Sequence, residues 1–93
     1  MKKQRFTSVW DAIEDSAGEA ESMKLRSSLM IALARHIEAS GLTQAKAAAL
    51  LGVTQPRVSD LVRGKIHLFS IEALVDMAAA AGLQVRLRLA KAA

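Results

Sequence analysis

The sequence contains no cysteine and no tyrosine, and only 3% of its 93 residues are aromatic. Without cysteine the chain forms neither disulfides nor thiolate metal sites, and nothing indicates an oxidising compartment. Hydrophobic side chains nevertheless make up 52% of the residues, and many of them are alanine. This composition favours closely packed helices over a β-sandwich. We therefore expect one small all-α domain with a modest core.

Other absences narrow the class of function. No apolar run approaches the roughly 18 residues of a membrane span, and the N-terminus has no hydrophobic leader, so we expect a cytoplasmic protein that contacts no membrane. The chain has no glycine-rich phosphate loop, and neither His36 nor His67 has a second ligand at metal-binding spacing. We predict no enzymatic activity, no cofactor and no metal site.

Residues 41–65 carry the boundary signals of two short helices. Thr43 is an N-cap candidate for a helix over Gln44–Leu51, which ends at Gly52. Thr54 is placed to cap a second helix that contains Pro56 in its first turn. That second helix is expected to end before Gly64.

Only residues 52–54 connect the two predicted helices, and so short a connection requires a sharp reversal of the chain. This is helix-turn-helix geometry. Small or apolar side chains fall where the two helices must touch each other and a third helix: Ala47, Ala48, Leu51, Val53, Val58 and Leu61. The second helix is then expected to expose Gln55, Arg57, Ser59, Asp60 and Arg63.

The pattern LTQxxAAxxLGVTQPxVSxLxxGK resembles the helix-turn-helix core of the Xre or lambda-repressor-like DNA-binding family. The resemblance implies an all-α, five-helix lambda-repressor-like bundle that binds double-stranded DNA through the second motif helix. In that role Gln44 would bind phosphate, Gln55 would pair with adenine, and Asp60 would accept from cytosine. Arg57 suits guanine or phosphate. The full predicted DNA-binding set is Gln44, Thr54, Gln55, Arg57, Ser59, Asp60, Arg63 and Lys65, of which the last two are expected at the DNA backbone.

The distribution of charge agrees with a DNA-binding second half. Residues 1–40 contain six basic and six acidic side chains, whereas residues 41–93 contain seven basic and three acidic ones. The formal net charge of +4 therefore lies beside the motif. A basic surface raises affinity for phosphate backbones but gives no sequence preference. Taken alone, a charge excess of this size is equally consistent with an ordinary solvated surface.

The N-terminal part divides into two predicted regions. Residues 1–15 are expected to form a basic arm and a short helix, in which Trp10 either anchors the domain's own core or binds a partner. A longer helix should begin near Ser16, with Glu19 completing a capping box. It should run to about Ser40, because apolar residues recur on one face: Leu25, Leu29, Met30, Leu33 and Ile37.

The C-terminal part changes its period. Ser70 is placed to cap a closing helix that ends at Gly82 and buries Ile71, Leu74, Val75, Ala78 and Ala79. The helix-turn-helix domain thus spans residues 16–82, with the motif at 43–64. In residues 83–93, apolar and polar side chains then alternate, which predicts a β-strand whose apolar face is formed by Leu83, Val85, Leu87 and Leu89.

A single strand has unpaired backbone groups along both edges. We predict that it pairs with the same strand of a second chain and forms a homodimer, although it could instead join a sheet in another protein. A two-fold dimer would bind an inverted-repeat operator.

Taken together, these segments resemble the HigA-like antitoxin branch of the Xre proteins. The resemblance implies a repressor of its own toxin-antitoxin operon that also neutralises a RelE or HigB-like ribonuclease toxin. The acidic residues between Asp11 and Glu21 form either a docking surface for a basic toxin or an ordinary solvated helix face. The alternatives are a stand-alone or prophage-type Xre regulator without a toxin partner, and an interaction module that binds no DNA.

Overall fold

The structure is a computed structural model that describes the backbone of residues 9–91 and the side chains of residues 17–91. Within this range the chain forms four α-helices and a one-turn 3-10 helix at Ile66–Leu68. The α-helices, numbered in chain order, are α1 Val9–Ser40, α2 Gln44–Leu51, α3 Gln55–Val62 and α4 Ile71–Ala80. The all-α prediction is confirmed for this part of the chain.

The predicted division of the N-terminal part into two helices is wrong. Residues 9–40 form one continuous helix of 32 residues, so residues 9–91 contain four α-helices rather than five. Ser16 can cap a helix only if the residues before it leave the helical conformation, and no proline or glycine precedes it within α1 to force that exit. The predicted basic arm and the side chain of Trp10 lie outside the described residues.

The predicted C-terminal strand is not formed within the single chain. Residues 83–91 have no regular secondary structure, and no other strand occurs in residues 9–91 to pair with them. A strand is defined by hydrogen bonds to a neighbour, so an alternating pattern alone does not produce one. Pairing between two copies of the chain stays a prediction. Leu87 and Leu89 are 69% and 90% exposed here.

Left-handed glycines end α2 and α3 where the sequence predicts. Gly52 has φ 70° and Gly64 has φ 72°. Beyond each glycine the chain turns back on the helix: Val53 N–H donates to Ala48 O at 3.0 Å, and Lys65 N–H donates to Asp60 O at 3.1 Å. These are Schellman contacts, which satisfy carbonyls that the helix ends leave without partners.

The core lies where α1, α2, α3 and α4 meet, and its composition confirms most of the predicted positions. Its fully buried residues are Met30, Leu33, Ile37, Ala47, Ala48, Leu51, Val58, Leu61, Phe69, Leu74, Met77 and Ala78. Among the other predicted positions, Val75 and Ala79 are exposed, and four are only half-buried: Leu25, Leu29, Val53 and Ile71. The alanines of α2 allow its backbone to approach α3 closely, as helix crossings with small residues do.

The first half of α1 extends away from this core. None of the side chains from residue 17 to residue 29 is fully buried. Residues 87–90 of the C-terminal segment lie alongside this half and form a groove with Glu21, Leu25 and Ser28. No helix within residues 9–91 is long and apolar enough to cross a bilayer.

Two apolar side chains of α1 differ in burial, so their substitutions should have unequal effects on stability. Leu33 is 1% exposed and Ile31 is 49% exposed. Leu33→Ala should lower the free energy of unfolding by about 2–5 kcal/mol, because it removes packed apolar volume. Ile31→Ala should change it by less than about 0.5 kcal/mol. Denaturant unfolding of both variants at one protein concentration measures the difference, and similar losses would contradict the packing described.

Candidate nucleic-acid interface

The start of each motif helix is held by a threonine. Thr43 Oγ1 accepts from the Lys46 backbone N–H at 3.1 Å, and Thr54 Oγ1 accepts from the Arg57 N–H at 3.3 Å. Both are N-cap hydrogen bonds, and Pro56 in the first turn of α3 has no N–H that would need a partner. A helix N-terminus leaves further backbone N–H groups without intrahelical partners, and such groups can bind an anion.

Helix α3 has one buried side and one polar side. Val58 and Leu61 are 0% and 1% exposed, which fixes the rotation of α3 about its own axis. Gln55 and Arg63 are exposed, and Ser59 is partly exposed. With about 3.6 residues per turn, these three side chains lie away from the core.

An open, shallow depression lies between α2 and α3. It is lined by Gln44, Gln55, Pro56 and Ser59. Gln44 and Gln55 come from different helices and are separated by the turn, so the fold brings two side-chain amides to one surface. Each amide both donates and accepts hydrogen bonds, as base edges and phosphates require.

Arg57 does not extend freely from α3. It precedes the buried Leu61 by four residues, which places it beside the core-facing side of the helix. Its guanidinium lies 4.0 Å from the centroid of the Phe69 ring. Its Nη1 also donates to the backbone carbonyl of Leu68. Arg57 is therefore half-buried, although the sequence predicts exposure.

Asp60 and Lys65 form an ion pair at the C-terminal end of α3. Lys65 Nζ lies 3.6 Å from Asp60 Oδ1, and the two side chains are 47% and 27% exposed respectively. A pair this accessible to solvent contributes little stability. The pair has a larger effect on the charge of the surface, because the Asp60 carboxylate lies close to Lys65, a cation predicted to bind phosphate.

The basic side chains around α3 differ in their surroundings. Arg57 and Lys65 are engaged within the chain, whereas Arg63 is exposed and has no ion-pair partner among the described side chains. Within residues 17–91, no three His, Asp or Glu side chains lie close enough together to hold a metal ion. The surface suits binding of a polyanion.

Comparison with known proteins agrees with this geometry. A family model described as a helix-turn-helix domain matches residues 12–90. The solved structure of a protein named as an XRE-family transcriptional regulator matches with a TM-score of 0.72 and 36% sequence identity, covering 80% of this chain and 83% of that one. The chain belongs to the XRE helix-turn-helix family. A search of curated proteins found no match.

Within this XRE-type fold, the predicted site residues occupy three settings. Gln44, Gln55 and Ser59 share the depression. Thr54 uses its hydroxyl to cap α3, and Arg63 and Lys65 lie at the end of that helix. Arg57 and Asp60 face partners within the chain.

Phe69, the largest fully buried side chain, is not among the core positions predicted from the sequence. A signal was present. Phe69 directly precedes the Ser70 N-cap, and Leu74 follows four residues after that cap, which is the spacing of a hydrophobic staple. Phe69 and Leu74 are 1% and 0% exposed, as a staple requires.

Proposed function

We propose that this XRE-type protein binds specific double-stranded DNA and regulates transcription, with α3 in the major groove. One observation carries the proposal. The apolar side of α3 is buried in the core, while its polar side, with Gln55 and Ser59, is open to solvent beside Gln44. An α-helix fits the major groove, where base edges present distinct patterns of donors and acceptors.

Selection among bases falls to Gln55, whose amide can pair in a bidentate manner with adenine, and Ser59 assists it. Gln44 and the N-terminal N–H groups of α2 bind a phosphate and set the register of docking. Thr54 holds the first turn of α3 in place and lies next to the DNA. Arg63 and Lys65 contact the DNA backbone.

Arg57 and Asp60 border the same surface. Each is engaged by a partner within the protein. A direct contact from either side chain to a base would therefore require it to leave that partner.

Gln55→Ala and Arg63→Ala should separate the selection of bases from the electrostatic attraction to phosphates. Gln55→Ala removes a bidentate base contact, so binding to the preferred site should weaken by about 1–3 kcal/mol, with binding to unrelated DNA unchanged. Arg63→Ala should weaken both and reduce the slope of log K against log salt by about 0.9. The site is obtained by selection from random duplexes, and affinities are measured at several salt concentrations. Equal losses on both DNAs for Gln55→Ala would refute its role.

We also propose that the active form is a homodimer in which residues 83–91 pair as antiparallel strands about a two-fold axis. Of the four predicted pairing residues, Val85, Leu87 and Leu89 are exposed in the single chain, whereas Leu83 is partly buried against the core. Pairing would cover the apolar side chains that are exposed. Two α3 helices about 34 Å apart would then fit an inverted repeat with half-sites one helical turn apart.

Replacing both Leu87 and Leu89 by serine should yield a monomer, because the double change removes the apolar face that the pairing buries. Replacing both Arg86 and Arg88 by serine is the matched control, since alternation places these residues on the other face. Sedimentation measures the oligomeric state. The leucine variant should also lose affinity for an inverted repeat but not for an isolated half-site. A wild-type monomer, or equal behaviour of the two variants, would exclude this interface.

Finally, we propose that the regulator is the antitoxin of a toxin-antitoxin pair and neutralises a RelE or HigB-like ribonuclease toxin. This step rests on the resemblance to HigA-like proteins. It is supported by Glu19 and Glu21, which are exposed on the half of α1 remote from the helix-turn-helix. Acidic side chains there would complement a basic toxin. A stand-alone regulator would need no such partner.

The reading frame next to this gene should then encode a small basic protein. Its expression alone should arrest growth, and expression together with this chain should restore growth and allow the two proteins to be purified as a complex. Glu19→Lys combined with Glu21→Lys should weaken the complex and leave DNA binding unchanged. A neighbouring protein that is neither toxic nor bound would leave the stand-alone regulator as the correct assignment.

A further inference from the structure

Two side chains of α3 hold the segment that follows the helix. This segment, residues 65–69, contains the 3-10 helix Ile66–Leu68 and ends at Phe69. Arg57 reaches its far end through the Phe69 ring and the Leu68 carbonyl. Asp60 reaches its near end through Lys65. The segment is thus attached at both ends to the helix proposed to bind DNA.

The attachment at Arg57 is the firmer of the two. The Phe69 ring is 1% exposed, so the guanidinium lies against a residue that is packed in the core. Cation–π contacts strengthen when the cation is partly removed from water, and Arg57 is half-buried. The hydrogen bond to Leu68 O uses the edge of the same planar group, so both contacts depend on one side-chain orientation.

The backbone and the core also hold parts of the segment: Lys65 N–H donates to Asp60 O at 3.1 Å, Ile66 packs against the core, and Phe69 is buried in it. Its backbone hydrogen bonds include Leu68 N–H to Lys65 O at 3.1 Å and Phe69 N–H to Ile66 O at 3.3 Å, and Lys65, His67 and Leu68 are exposed. A single 3-10 turn has poor hydrogen-bond geometry and is marginal alone. The side-chain contacts of Arg57 and Asp60 therefore add to these restraints and orient the exposed residues of the segment relative to α3.

We propose that Arg57 is a positioning residue: it holds residues 65–69 against α3 so that Lys65 meets the DNA backbone, and it contacts neither a base nor a phosphate itself. The proposal rests on the DNA-binding role proposed above. If Arg57 turned towards a base, it would lose the hydrogen bond to Leu68 and uncover the Phe69 ring. In the DNA complex, Arg57 keeps its contacts with Leu68 and Phe69, and Lys65 contacts the DNA backbone from the segment that Arg57 holds.

Arg57→Met and Arg63→Met test this proposal as a matched pair. Methionine at position 57 still covers the Phe69 ring, so the fold should persist, but it cannot donate to Leu68 O. Arg63→Met makes the same change on the outward side of α3. Binding of each full-length variant is measured against the preferred DNA site, against every single-base variant of that site and over a range of salt. Hydrogen exchange of the Leu68 and Phe69 amides is measured on the free proteins.

For Arg57→Met we expect binding about tenfold weaker on the preferred site, a loss on the scale of the contacts removed. The loss should be the same on every single-base variant, with faster exchange at Leu68 and Phe69. The salt slope should fall by at most about 0.9, because the phosphate contact that weakens is that of Lys65. For Arg63→Met we expect a salt slope lower by about 0.9 and normal exchange.

Three results would overturn the proposal. Lost discrimination at one base pair would make Arg57 a base contact. A salt slope that falls by about a further 0.9 when Arg57→Met is added to Lys65→Met would make Arg57 a phosphate contact in its own right. Unchanged affinity of a folded Arg57→Met variant for the preferred DNA site would show that Arg57 only covers the Phe69 ring. If the wild-type chain prefers no DNA site, the proposed function itself fails and takes the positioning role with it. A wild type that prefers one site, together with the expected lower salt slope of Arg63→Met, would confine the failure to Arg57.

Discussion

The arrangement of this protein depends on the burial of Val58 and Leu61. These two side chains are almost completely enclosed, and their burial sets which side of α3 faces outward. Because Ala47 and Ala48 are small, α2 lies close enough to α3 to enclose them. A larger residue at either alanine would separate the two helices and rotate the polar side away from any duplex. The packing of the buried side of α3 thus determines which of its polar side chains face the solvent.

Some cations of the proposed DNA surface are engaged within the chain, so the net charge of +4 overstates the charge that is free to attract DNA. Arg57 is stacked on Phe69, and Lys65 shares its charge with Asp60. A DNA-binding protein with many unrestrained cations binds every sequence well, since the phosphate term is independent of sequence. Engaging Arg57 internally and partly neutralising Lys65 lowers that common term, and a larger share of the affinity is left to polar contacts with base edges. Arg63 remains available for attraction.

The ends of the described chain are organised differently from the motif. The first half of α1 and residues 87–90 border a groove that has no fully buried side chain from α1. Within one chain this surface is poorly covered, and its leucines gain little hydrophobic stabilisation there because little of their area is buried. The surfaces proposed for dimerisation and for a protein partner therefore lie where the single chain leaves apolar and acidic groups exposed. The helix-turn-helix, by contrast, is complete within one chain.

Local signals in the sequence determined the helices of the motif, because N-caps such as Thr43 and Thr54 and the stop at Gly52 act within a few residues of chain. The buried positions of α2 and α3 also followed from periodicity. The single long helix α1 did not, since a capping sequence at Ser16 has no effect inside a helix that has already begun. Tertiary structure alone decided the surroundings of Arg57 and the burial of Phe69. Their contact joins residues 12 positions apart through a turn and a 3-10 helix, and no helical or strand period relates them. Whether residues 83–91 form a strand depends on a partner's backbone, which the sequence of one chain cannot supply.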